Sequence, residues 1–150
     1  MTAVDIVRSG ARAHDSVEDR DGLGRSVRER VPRSTLASWE PGPDRADPVD
    51  VLEAQATTRE PSLVPLRYGR MLTSPFAFYR GSARLMAADL ATVPHTGLTV
   101  QLCGDAHLAN FGAYAAPDRR LVFSLNDFDE TLPGPFEWDV ARLAASFEIA

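Results

Sequence analysis

The sequence has no lysine: all sixteen of its basic residues are arginine. GC-rich coding accounts for such a bias, but it has a chemical consequence, because no step in this chain can use a lysine ammonium. Cys103 is the only cysteine. That excludes an internal disulfide and any metal site built from several cysteines. Beside Gly104, at what reads as a strand end, Cys103 is expected as a small buried apolar residue. No run approaches the roughly eighteen apolar residues of a membrane span. The first residues carry several acids and no apolar core segment, so they do not read as a signal peptide, and the cytoplasm is the expected location. Positive charge is in deficit, with a net charge of −5 and a pI near 5.1. That balance weighs against a general binder of nucleic acid or of anionic membrane. No glycine-rich phosphate loop precedes residue 100.

What is present fits a soluble globular domain or part of one, since 150 residues are enough for a core only if most of the chain folds. Residues 1–46 are rich in Arg, Asp, Glu, Gly, Pro and Ser, the composition of a flexible arm. A tail is expected over 1–30, and Leu36 and Trp39 mark a piece that can dock as an extended segment. From residue 47 the pattern changes. Asp47 in the capping position, Pro48 in the first helical position and Asp50 in the first turn predict a helix. The stretch 61–81, dense in arginine and aromatics, reads as a linker. Ala83, Met86, Ala87 and Leu90 fall on one face of a second helix. Leu98, Val100 and Leu102 alternate as a strand, and Leu121, Phe123 and Leu125 as a return strand after the turn at 115–120. The segment 132–135 reads as a chain breaker. Val140, Leu143, Ala144 and Phe147 form the apolar face of a last helix, which reaches residue 150 without a stop signal. Such an end is expected of a fragment of a longer protein.

Two short stretches carry the chemistry. "CGDAHLANFG" (103–112) and "LNDFDE" (125–130) place Asp105, His107, Asn110, Asp127 and Asp129 at the ends of predicted strands. Carboxylates and amides are hard oxygen ligands of the kind magnesium prefers, and magnesium uses one or two protein carboxylates together with substrate phosphates. In protein-kinase phosphoryl transfer a loop Asp accepts the substrate hydroxyl proton and the Asn five positions on holds a metal. A second Asp, followed by Phe and placed after a short hairpin, holds the other. Asp105, Asn110 and Asp127-Phe128 stand in that order and spacing. Asp139, at the start of the last helix, can accept from free backbone N–H groups of a neighbouring loop. His107 reads either as a base or as a brace across the loop.

"GDAHLANFG", "LNDFDETLPGPFEWDVARLAAS" and "RYGRMLTSPFAFYRG" resemble the bacterial family catalogued as domain of unknown function 2252, over about residues 31–150. Its members are usually much longer, and the family is grouped at a distance with protein-kinase-like folds near the aminoglycoside and choline phosphotransferases. The resemblance implies that Asp105 is the catalytic base and His107 the loop histidine. It also implies that Asn110 and Asp127 are metal ligands and that Asp139 is the structural acid of the following helix. Cys103 replaces the first histidine of the phosphotransferase loop, and Asp129 stands where protein kinases have glycine. The glycine-rich loop and strand lysine of the nucleotide-clamping lobe have no counterpart before residue 100. Arg67, Arg70 and Arg80 are the candidate phosphate-binding cations in their place, since guanidinium forks onto phosphate well.

The expectation is therefore an α+β chain. Its first part, 1–46, is an arm, and 47–150 is the N-terminal part of a kinase-like domain with the order helix, strand, catalytic loop, β-hairpin, helix. The expected activity is magnesium-dependent transfer of a phosphoryl group from ATP or another nucleotide to a hydroxyl on a small-molecule or protein acceptor. Asp105 and His107 would be catalytic, and Asn110, Asp127 and Asp129 would hold the metal. Neither nucleic acid nor membrane is an expected partner. A metal-dependent phosphoester hydrolase and a non-catalytic nucleotide- or partner-binding protein are the alternatives. A 150-residue piece is expected to be inactive by itself.

Overall fold

The computed structural model describes residues 15–150. It is a mixture of helices and small antiparallel sheets, an α+β chain. The first helix, α1 (Val17–Arg30), lies where composition reads as a flexible tail. Its start supplies the reason. The Ser16 hydroxyl accepts the Asp19 N–H and the Asp19 carboxylate accepts the Ser16 N–H, a reciprocal cap. Glu18 and Asp19 then face the positive end of the helix dipole, and Arg28 and Arg30 the negative end. Residues 1–14 of the expected tail lie outside the described residues.

After a 3-10 turn (Arg33–Ala37), the chain runs to α2 (Pro48–Ala56), where the Asp47 carboxylate accepts from the N–H groups of Val49 and Asp50 as its position predicts. The stretch expected as a linker is instead helical. It forms α3 (Val64–Met71) and α4 (Pro75–Arg80). Ser74 caps α4 by accepting the Ala77 N–H, and Pro75 occupies its first turn. Next comes α5 (Ala83–Leu90), where the periodicity places it. Arg45 holds the Asp89 carboxylate of α5 through two bonds of 2.7 and 2.9 Å while its guanidinium lies 5.2 Å over the Trp39 ring, so the segment before α2 is docked. Leu52, Met71 and Leu85 pack into a small core, with Val51 and Tyr68 against it.

Strand β1 (Thr99–Leu102) leads into the loop 103–110. Strands β2 (Phe111–Ala115) and β3 (Leu121–Leu125) form the predicted hairpin, with Phe111 opposite Leu125 and Ala115 opposite Leu121. The proline-rich segment that reads as a breaker is β4 (Leu132–Pro135), antiparallel to β1. Its two prolines lack N–H donors, and proline is tolerated in strands only at an edge. β4 is an edge strand, paired with β1 alone.

The last helix, α6 (Phe136–Glu148), is where the pattern predicts it, but it turns a different face inward. Glu137, Arg142 and Ser146 are buried, whereas Val140 and Phe147 are exposed. What this polar face reaches is the loop after β1.

Candidate functional site

The loop 103–110 is held from three directions. Its entry needs glycine: Gly104 has φ +88°, and any Cβ there would collide with the Glu130 carbonyl. Within the loop, the Asp105 main-chain carbonyl accepts from the His107 N–H at 2.8 Å and from the Asn110 side-chain amide at 2.7 Å. Two bonds tie the loop to the segment after β3: the Cys103 thiol donates to the Asp127 carbonyl at 3.0 Å, and the Asn126 N–H to the Asn110 carbonyl at 3.0 Å. Cys103 is 2% exposed, and burial pushes its thiol pKa up, so it stays protonated as the small buried residue expected.

The third restraint comes from α6. Asp139, Arg142 and Ser146 stand at i, i+3 and i+7, one face of a helix. The Asp139 carboxylate accepts from the N–H groups of Cys103 at 2.7 Å and Gly104 at 3.1 Å. The Ser146 hydroxyl accepts the Leu108 N–H at 2.9 Å. Arg142 reaches Asp105 itself, with Nε and Nη2 both 2.5 Å from Oδ1. This guanidinium is 2% exposed, donates also to the Tyr79 carbonyl at 2.8 Å, and lies 4.3 Å over the Tyr79 ring. The Tyr79 hydroxyl returns a bond to the Arg142 carbonyl at 2.7 Å, and burial raises its pKa. A buried charge needs this much compensation, because taking it out of water costs several kcal/mol (on the order of 20 kcal/mol in the idealised dry limit).

His107 is equally buried. Its Nε2 lies 3.5 Å from Asp105 Oδ2, its ring meets Phe76 edge-on at 6.1 Å, and its Nδ1 has no partner. Burial lowers its pKa. The Asp105 charge opposes that shift, and the Arg142 and Arg80 charges add to it. The imidazole is therefore uncharged near neutral pH and sits against Asp105.

These restraints leave Asp105, His107 and Asn110 on the wall of one cavity of about 860 Å³, together with Asp127, Arg67, Arg70 and Arg80. Seven of the residues singled out in the sequence thus share a single surface. Asp129 does not line it: that side chain is exposed, and its N–H donates to Asp127 Oδ1 at 3.3 Å. Asp139 acts through the loop backbone. The sequence reading missed Arg142 and Ser146, and also Arg59, which lines the same cavity. The available signal was the polar stripe 139, 142, 146 in an otherwise apolar helix.

Asn110 and Asp127 bring an amide and a carboxylate to the cavity, oxygen donors suited to a hard cation. Among the described residues, no three His, Cys, Asp or Glu side chains converge as a ready-made metal cage. A cation here would take its remaining ligands from water or from a bound ligand. Among the described residues, no helix is long and apolar enough to cross a membrane.

Fold and site together define a small α+β chain whose helix-braced acidic loop faces arginines across a cavity. Residues 59–150 match the family described as "Uncharacterized protein conserved in bacteria (DUF2252)", and the chain belongs to that family. No curated protein and no solved structure matches it.

Proposed function

We propose that the chain carries the catalytic-loop part of a kinase-like, magnesium-dependent phosphotransferase that moves a phosphoryl group from a nucleotide to a hydroxyl acceptor in the cytoplasm. One observation carries the reading: residues from three separate segments, Arg67 to Arg80, Asp105 to Asn110, and Asp127, line one cavity.

Asp105 would accept the hydrogen bond of the acceptor hydroxyl. Arg142 occupies its Oδ1 and thereby fixes the direction of the carboxylate. Its main contribution is alignment of that hydroxyl, with the proton passing to it as the bond to phosphorus forms. The acceptor oxygen bonds to the terminal phosphorus, the bond from that phosphorus to the bridging oxygen breaks, and the nucleoside diphosphate leaves. Arg67, Arg70 and Arg80 would hold phosphate oxygens. Asn110 and the Asp127 carboxylate would hold the magnesium ion, which when bound offsets the charge of the phosphates. His107, buried and uncharged, would keep Asp105 in place.

Calorimetric titration with ATP tests this. Binding that requires magnesium and is lost in Asp127→Ala supports the reading. ATP binding of equal strength with and without magnesium, unchanged by Asp127→Ala, overturns it.

A further inference from the structure

Four arginines and three carboxylates, Glu60, Asp105 and Asp127, share the wall of this cavity. Arg59, Arg67, Arg70 and Arg80 all line it. The ion pairs among the described residues use Arg25, Arg45, Arg120 and Arg142, so none of the four cavity arginines has a carboxylate partner. Arg80 lies near enough to His107 for its charge to depress the imidazole. The Arg67 guanidinium donates through Nη2 to the carbonyl of Gly81, the residue after Arg80. Arg59 is close enough to Arg67 to repel it. These relations link Arg80 to the acidic loop, Arg67 to the backbone beside Arg80, and Arg59 to Arg67.

Two further observations point to an absent anion. Arg67 Nη1 is buried and has no hydrogen-bond partner, a costly state for a charged donor. Burial and the neighbouring Arg59 both push the Arg67 pKa down, a strain that a bound anion would relieve. The wall bears no Phe, Tyr or Trp on which a base would stack, its apolar surface coming from Leu63, Val64, Leu66 and Met71.

We propose that this arginine row binds the chain of a linear polyphosphate, with the terminal phosphate at the Asp105–Asp127 end and the distal phosphates at Arg67 and Arg59, so that the donor is recognised by its phosphates and not by its base. The proposal deepens the phosphotransferase reading and rests on the same cavity. It extends the site to Arg59, and it makes inorganic tripolyphosphate a ligand comparable to ATP.

The test is titration of the 150-residue chain with tripolyphosphate, ATP and adenosine, each with magnesium and with chelator. Tripolyphosphate and ATP are expected to bind within about threefold of each other and adenosine not at all. Arg59→Gln is expected to weaken both anions by about tenfold, the loss of one charge-assisted bond. Arg59 is exposed and its side chain makes no ion pair, so this variant keeps the fold, with circular dichroism as the check; Arg67→Gln is the companion. ATP binding at least about thirtyfold tighter than tripolyphosphate would overturn the proposal, as would adenosine binding or unchanged affinity in both variants. Weakening by the arginine variants in chelator, with Asp127→Ala silent in magnesium, would sustain the row and remove the phosphotransferase reading. Magnesium dependence with silent arginines would do the reverse.

Discussion

Replacing Asp105 by Ala tests how far the loop depends on its buried ion pair. The substitution leaves the Arg142 guanidinium, 2% exposed, with only the Tyr79 carbonyl and ring and the Met86 sulfur around it. Removing one partner of a buried pair costs about 3–5 kcal/mol, because the other charge stays desolvated. The Asp105 side chain retains 20% exposure, so the pair is not fully dry and the lower end, about 3 kcal/mol, applies. Arg142→Met fills the same space without charge, and the Tyr79 hydroxyl keeps its bond to the main-chain carbonyl of residue 142. That single change is expected to cost about 2 kcal/mol, since Asp105 keeps some solvent. Independent effects would sum to about 5 kcal/mol in the double variant. The structure instead predicts a double-variant cost near 2 kcal/mol, below that of Asp105→Ala because no charge is left stranded, and a coupling of about 3 kcal/mol. Urea unfolding of the four proteins at neutral pH measures all of these terms. A cost below about 1 kcal/mol for Asp105→Ala, or strict additivity in the double variant, would refute the reasoning.

Two other outcomes follow from the same loop. Asp139→Ala strands the N–H groups of Cys103 and Gly104, so stability should fall by about 2 kcal/mol or more, and amide exchange at those two residues should accelerate ahead of exchange in β2 and β3; unchanged exchange there would contradict the bracing role. His107 gives a pH signature. Its folded pKa lies below the ordinary 6.5. Above that value both states are uncharged and stability is full. As the pH falls below it, the unfolded chain takes up a proton that the folded chain does not, and stability declines until the folded pKa is passed. His107→Gln should flatten this decline in urea midpoints followed from about pH 7.5 to 5. A slope equal to that of the parent would show that His107 is not the group responsible.

Elements with a local chemical signal were legible in the sequence. Asp47-Pro48 announces α2, strict alternation announces β1 and β3, and the spacing of Asp105, Asn110 and Asp127 picks out residues that do share a cavity. Elsewhere, tertiary context outweighed the signal. The cap of α1 uses Asp19 where the familiar box has Glu or Gln, so its composition dominated the reading. In α3 and α4 arginines and aromatics hide the periodicity, although Ser74-Pro75 is a proper helix start. Proline in β4 reads as a breaker because sequence does not say which strand is an edge. For α6, hydrophobic periodicity selects the face with Val140 and Phe147, while the buried face is the one that satisfies the loop's backbone and the charge of Asp105. Arg142 was missed for this reason: in sequence, an arginine on a helix is read as solvated until something buried is found to need its charge.

In the proposed site Asn110 and Asp127, from two different loops, would face one cation in the presence of phosphates. Manganese in place of magnesium makes this directly visible, because a paramagnetic ion broadens the amide signals nearest to it. With ATP present, substoichiometric manganese should broaden residues around Asn110 and around Asp127 together, and Asp127→Ala should abolish both effects. Broadening confined to one of the two loops, or unchanged by Asp127→Ala, would contradict the account.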